Sequence, residues 1–239
     1  AGVATQKDID ANLAFAKDIV LRSFKKAIDP TVSPYLDPTK SDCIESVMFS
    51  NQEILKLDDR KPEVLMPIEE NPQLKRLAGK SRFGLDADGK RISGMKTIVY
   101  KEAIFEAVID RFYEDPTLAA WGEENRDWGG AFAVYRGMTE SIPYHRLFNS
   151  PISEGAIVGA GVGYALAGGR AIVEIMYCDF IGRCGDEVFN QMAKWQSMSA
   201  GVLKMPLILR ISVGAKYGAQ HSQDWSAMFA HVPGLKVVF

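Results

Sequence analysis

Cysteine is scarce in this 239-residue chain. The three thiols, Cys43, Cys178 and Cys184, form neither a paired disulfide framework nor a CxxC knuckle for a metal. They are expected to be reduced thiols of a cytoplasmic protein, and no metal ligands are read among them. An excess of either charge is also missing. The 28 basic and 30 acidic residues leave a net charge of −2, so no basic surface points to nucleic acid or to an anionic membrane. The longest uncharged run, 155–169, has 15 residues against the ~20 that a membrane-crossing helix needs. No basic segment followed by an apolar core opens the chain, so no export signal is read there. Both ends read as cut. The chain starts abruptly and stops at "GLKVVF" as a strand begins, so a piece of a longer polypeptide is expected.

What is present falls into two regions, with the division expected at residues 96 and 97. In the first, Leu13, Phe15, Ala16, Ile19, Val20, Phe24 and Ala27 recur at helical spacing. They predict one amphipathic helix over 10–28, ended by Asp29-Pro30. Prolines at 30, 34, 38, 62, 67 and 72 and scattered charge follow without a sustained period. Residues 29–95 therefore read as a long irregular linker, with a short helix near 50–57.

The second region alternates strands and helices. A helix at 100–115 is closed by Pro116. Strands are predicted at 117–122, 144–149, 171–176, 206–212 and 235–239. Helices are predicted at 153–168, about 184–200 and about 224–231. Strand–helix alternation implies parallel crossovers and a sheet covered on both faces. The fold class is α/β: doubly wound, mainly parallel, with helices on both faces. Ligands of such sheets bind beyond the carboxyl ends of the strands, here the loops after 122, 149, 176 and 212.

The run "NSPISEGAIVGAGVGYALAGG" (149–169) sits at one of those ends. A dinucleotide fingerprint needs G-x-G-x-x-G at a strand-to-helix turn. The run offers "GAGVGY", lacks the last glycine, and lies inside the helix. Gly155, Gly159 and Gly163 instead recur every four residues, with Ala167 next, on one helical face. That stripe suits close helix packing, either within one chain or across a symmetric interface. Glu154 opens the helix. A first-turn carboxylate gains about 0.3–1 kcal/mol from the helix dipole, and it also stands where a catalytic acid would stand. His221, in "GAKYGAQHSQDW" (214–225), is either a surface histidine or an acid/base on a strand-end loop. His231 reads as structural, and His145 carries no signal. "EIMYCDF" (174–180) brings Met176, Tyr177 and Phe180 to a strand end, as core or as a wall for a flat ligand.

Together, "GGAFAVYRGM" (129–138), "NSPISEGAIVGAGVGYALAGGRAIVEIMYCDFIG" (149–182), "PLILRISVGAKYGAQHSQ" (206–223) and "FAHVPGLKVV" (229–238) resemble one family. It is the beta subunit of the thiamine-diphosphate-dependent first component of 2-oxo acid dehydrogenases, which act on pyruvate, branched-chain 2-oxo acids or acetoin. The resemblance covers roughly 97–239. It implies a thiamine-diphosphate-binding fold whose pyrimidine domain is 97–239, cut before a further carboxy-terminal domain. Residues 1–96 would then be the end of an alpha-type half plus a linker, as in fused family members.

By that resemblance Glu154 hydrogen-bonds the aminopyrimidine N1′ of thiamine diphosphate and favours the tautomer that deprotonates the thiazolium. Phe180 walls the aminopyrimidine, and Ile152 and Met176 line its pocket. His221 matches a histidine implicated in acyl transfer to a lipoyl group. The glycine stripe matches a helix that packs subunits, as a homodimer or an alpha2beta2-like assembly. The family's diphosphate and magnesium motif, GDG followed by Asn, has no counterpart here. "ADG" at 87–89 and "GDE" at 185–187 do not fit it. Magnesium is thus expected on an alpha-type partner, and a lipoyl-bearing acyltransferase is the expected acceptor. A transketolase-like or 1-deoxyxylulose-5-phosphate-synthase-like enzyme, and a non-catalytic assembly module, are the competing readings.

Overall fold

The computed structural model describes residues 3–32, 56–199, 201–214 and 216–239, and the chain divides into two units, Ala1–Gln52 and Glu53–Phe239. The first unit holds helix α1 (Gln6–Ile28). It begins four residues before the predicted start at residue 10 because a cap sets its start. Thr5 Oγ1 accepts from the Asp8 amide, and the Asp8 carboxylate accepts from the Thr5 amide at 2.8 Å. No residue of α1 is buried. Cys43 and residues 50–55 of the expected short helix lie outside the described residues, and 56–57 are not helical.

The second unit is built on four parallel strands: β1 (Leu118–Glu123), β2 (Leu147–Ser150), β3 (Arg170–Ile175) and β4 (Leu207–Ile211), in the order β2-β1-β3-β4. The chain leaves β1 to one side for β2 and returns on the other for β3, which makes the sheet doubly wound. Side chains alternate across a strand. Ala119, Trp121, Ala171, Val173 and Ile175 therefore bury one face against Ile157, Val158, Val162 and Ala165 of α4 (Glu154–Leu166). Leu118, Ala120 and Ile172 bury the other with Phe105, Ile109 and Phe112 of α3 (Tyr100–Glu114), over which Tyr135, Met138 and Ile142 also pack. The α/β class with both faces covered is thus observed. Trp121 adds a direct tie, its indole N–H donating to the Ile157 carbonyl at 3.1 Å.

Several predicted elements differ. The linker contains a helix that periodicity missed, α2 (Pro72–Ala78). It is too short to show a period and is set by Asn71 and the proline after it. The buried Asn71 side chain accepts from the Gln73 and Leu74 amides, each at 3.0 Å. It donates to the Gly137 carbonyl and Ser141 Oγ at 2.8 Å. Replacing Asn71 with alanine deletes a helix cap and orphans buried groups, at an expected cost of about 2–4 kcal/mol. A urea titration should show the lower midpoint. Glu102 secures the same segment to α3. Burial pushes its carboxyl up, but Lys80, the Val99 amide and Arg76 outweigh burial and hold it below its ordinary range.

The helix predicted at about 184–200 forms over 185–198, with a 3-10 stretch ahead of it and a π-helical turn inside it. A 3-10 stretch runs over Cys178–Cys184, a π-helical turn over Glu187–Met192, and helix α5 over Ala193–Met198. The wide turn is fastened by Asp186, whose carboxylate accepts from Asn190 and Gln191. The strand predicted at 235–239 does not form. After the short helix α6 (Ser226–Ala230), the chain turns at Gly234 (φ 96) beneath the Ala193 carbonyl. The residues beyond it join no ladder, so their β propensity is not realised.

The glycine stripe is divided. A side-chain carbon on Gly155 would lie 3.3 Å from the Arg183 carbonyl, and one on Gly159 would lie 3.6 Å from Glu187. Those two glycines admit the 183–187 segment of the same chain, whereas Gly163 faces open space. The glycine that seats α4 on the sheet is outside the stripe. A carbon on Gly161 would stand 2.9 Å from both Val173 and Leu207.

Candidate functional site

The strand order reverses between β1 and β3, so a crevice is expected beyond their carboxyl ends. β1 ends at Glu123, followed by Glu124 in a left-handed conformation (φ 57) and by fully buried Asn125. Burial raises the Glu123 carboxyl above its ordinary range, and the neighbouring carboxylates of Glu154 and Glu124 raise it further. Glu154 stands half-buried in the first turn of α4. Ser153 does not cap that helix. Its hydroxyl donates to the Pro151 carbonyl at 3.1 Å, which leaves the helix N-terminus to the carboxylate. Ile152 beside it is 80% exposed.

Two buried polar atoms at the paired ends of β1 and β2, Glu123 Oε1 and Ser150 Oγ, have no partner among the described residues. Buried polar atoms are normally hydrogen-bonded. The half-buried Glu154 carboxylate, a partner for a ring nitrogen, and the half-buried Phe180 ring, an apolar face, fit an aminopyrimidine. Among the described residues, no group of three or more His, Cys, Asp or Glu could hold a metal ion.

A second cluster lies beyond β3 and β4. The His221 imidazole rests on the Tyr177 ring at 4.6 Å between centroids and meets the Phe180 ring edge-on at 5.4 Å. Tyr177 also touches Tyr217 and Phe132, each at 6.2 Å. The histidine backbone is held in the left-handed region (φ 67). Its amide donates to Asp179 Oδ1 at 2.8 Å, and a side-chain carbon on Gly214 would fall 1.8 Å from its carbonyl oxygen. Only glycine at 214 allows that approach. Met176 is half-buried at the end of β3.

Of the five sequence-derived site residues, the structure joins Phe180 to His221. It sets Glu154 beside Glu123, leaves Met176 between strand and loop, and exposes Ile152. Tyr177 was read as core or as a wall for a flat ligand, whereas Asp179, Phe132, Glu123 and Asn125 were not singled out as site groups. Asp179, Glu123 and Asn125 have only a position just past a predicted strand as a signal, and Phe132 has none. The buried thiols take no visible part. Burial pushes Cys184 up to about 12 and raises Cys178, whose Sγ accepts from the Trp225 amide at 3.3 Å.

Residues 96–239 match the transketolase pyrimidine-binding domain, and the chain belongs to that family. It is 41% identical over 150 residues to the beta subunit of acetoin:2,6-dichlorophenolindophenol oxidoreductase from Cupriavidus necator, which covers 58% of this chain and 44% of that one. It is 35% identical over 161 residues to the mitochondrial pyruvate dehydrogenase E1 component subunit beta-1 of Arabidopsis thaliana, covering 66% and 44%. With the Rickettsia felis pyruvate dehydrogenase E1 component subunit beta it shares 38% over 143 residues, covering 59% and 44%. The chain thus spans less than half the length of these relatives. No helix among the described residues is long and apolar enough to cross a membrane.

Proposed function

We propose that this chain supplies the aminopyrimidine half of a thiamine-diphosphate site in an enzyme that oxidatively decarboxylates a 2-oxo acid and passes the acyl group to a lipoyl carrier. The observation that carries this reading is the half-buried Glu154 in the first turn of α4, next to Glu123 at the end of β1, whose carboxyl its charge helps to raise. The relatives, subunits of pyruvate dehydrogenase and of an acetoin oxidoreductase, support it.

Bound there, thiamine diphosphate supplies a nucleophilic carbon and an electron sink. Glu154 holds the pyrimidine N1′ and shares a proton with it. Phe180 gives the ring an apolar face, with Met176 and Ile152 bordering the pocket. His221 stands on the loop after β4 and handles a proton during transfer to the lipoyl thiol. The diphosphate and magnesium are held by an alpha-type partner, which closes over the carboxyl ends of the strands in an alpha2beta2-like assembly. Around that opening Trp128, Phe132, Tyr144, Ile152 and Tyr217 are exposed apolar or aromatic side chains, as a face to be covered would be.

Calorimetry tests the division of the site. Thiamine diphosphate with magnesium should show no tight binding to this chain alone, because charge-assisted diphosphate contacts supply most of the affinity. Tight binding should appear once an alpha-type subunit is added. Micromolar binding to this chain by itself overturns the half-site assignment.

A further inference from the structure

A buried ion pair lies behind the His221 cluster and is not used by the proposed chemistry. Glu174 of β3 and Arg210 of β4 are register partners on adjacent strands and form a salt bridge. Glu174 is fully buried. Two charges withdrawn from water are a weak source of stability, since an apolar pair of equal volume usually serves as well. What distinguishes this pair is its grip on the loop after β1. Glu174 Oε1 accepts from the Ala131 amide at 2.6 Å, and Arg210 Nη2 donates to the Ala131 carbonyl at 2.9 Å. The two charges thus hold both backbone polar groups of one residue. The fit excludes a side chain before it: a carbon on Gly130 (φ 68) would lie 2.5 Å from Glu174 Oε1.

The gripped residue is followed by two in the left-handed region, Phe132 (φ 58) and Ala133 (φ 56). Neither is a residue that adopts this conformation unaided. With the backbone turned this way, the Phe132 ring meets Tyr177 edge-on at 6.2 Å, and Tyr177 carries the His221 imidazole at 4.6 Å. A continuous set of contacts therefore runs from the ion pair through Ala131, Phe132 and Tyr177 to His221.

We propose that Glu174 and Arg210 are positioning residues for His221: by clamping Ala131 they aim Phe132 at Tyr177 and so set the surface on which the imidazole rests. The importance of this for turnover rests on the role given to His221 above. The geometric claim does not, and it is tested without cofactor or substrate.

The 239-residue chain has three histidines, so selective carbon-13 labelling resolves each imidazole by NMR. His221→Gln identifies the His221 cross-peak by its loss. Three variants then separate the elements of the clamp. Phe132→Gly removes the ring and suits the left-handed backbone, so it should fold at least as well as the parent. Arg210→Lys keeps the charge beside Glu174 but loses the fork that reaches the Ala131 carbonyl. Glu174→Gln keeps an acceptor for the Ala131 amide and removes the charge.

All three should shift the His221 cross-peak while those of His145 and His231 stay in place. A purely structural pair would lower the melting temperature and leave the folded-state His221 signal unmoved, and that result in Arg210→Lys or Glu174→Gln overturns the proposal. Should both fail to fold, an unmoved His221 signal in Phe132→Gly overturns it alone. A shifted signal with unchanged lipoyl-dependent turnover in the assembled enzyme would uphold the clamp and count against the role of His221 instead.

Discussion

Glu154→Gln, placed in the enzyme assembled with its alpha-type partner, is expected to lower turnover by ~10²–10⁴-fold, the range of a positioned acid/base. The argument begins with what glutamine preserves. It has the volume and reach of glutamate, so α4 and its seat on Val173 and Leu207 stay intact. It cannot share a proton with a pyrimidine nitrogen. The loss should appear in every reaction that requires cofactor activation, including decarboxylation followed with an artificial electron acceptor. Cofactor affinity should fall far less than turnover, because the diphosphate contacts lie elsewhere. Cofactor hydrogen–deuterium exchange at the reacting carbon, followed by quench-flow NMR, reads the affected step directly. Unchanged exchange in the variant would show that Glu154 is only the dipole carboxylate of its helix.

His221→Ala is the second large effect, and its signature is a difference between two assays. Its ring stands on Tyr177 and against Phe180, on the loop after β4, and the proposed reading gives it a proton of the later acyl transfer rather than of cofactor activation. The lipoyl-dependent reaction is expected to lose ~10²-fold or more, while the artificial-acceptor reaction loses much less. Equal losses in both assays would move His221 into decarboxylation or cofactor binding. No loss in either would make it a surface histidine. Because the side chain is half-buried and bonds through its backbone to Asp179, the alanine variant should remain folded, so a lost activity is not lost protein.

Much of the layout is legible in residue order. Leu118 to Trp121, Ala171 to Ile175 and Leu207 to Ile211 are mainly apolar runs of strand length, the last two each carrying one charge, Glu174 and Arg210, and the helices between them force a parallel sheet. Glu154 is recognisable because it heads a helix just after a strand. Elements set by single contacts are harder to read. The π-helical turn depends on Asp186 reaching both Asn190 and Gln191, and periodicity averages over such a local widening. The terminal segment "LKVVF" has strand composition, yet a ladder needs a neighbour. Helix α2 is seven residues long and is held by Asn71 bonding to residues 66 and 70 positions away. The His221 seat draws on residues 132, 177, 179, 180 and 214, and no spacing rule links these.

The facing of Glu174 and Arg210 bears on how the sheet assembles. Parallel strands pair through evenly spaced backbone bonds, which by themselves do not distinguish one alignment from the next. A slip of one residue between β3 and β4 would turn the guanidinium toward the apolar layer of Val158 and Val162. A slip of two would restore the face but part the charges by about 6–7 Å. Either misalignment strands an ion in a dry interior, so only the native alignment escapes the penalty. The pair thus acts as a registration mark, and neutralising both members would be expected to show first as a lower yield of correctly refolded chain.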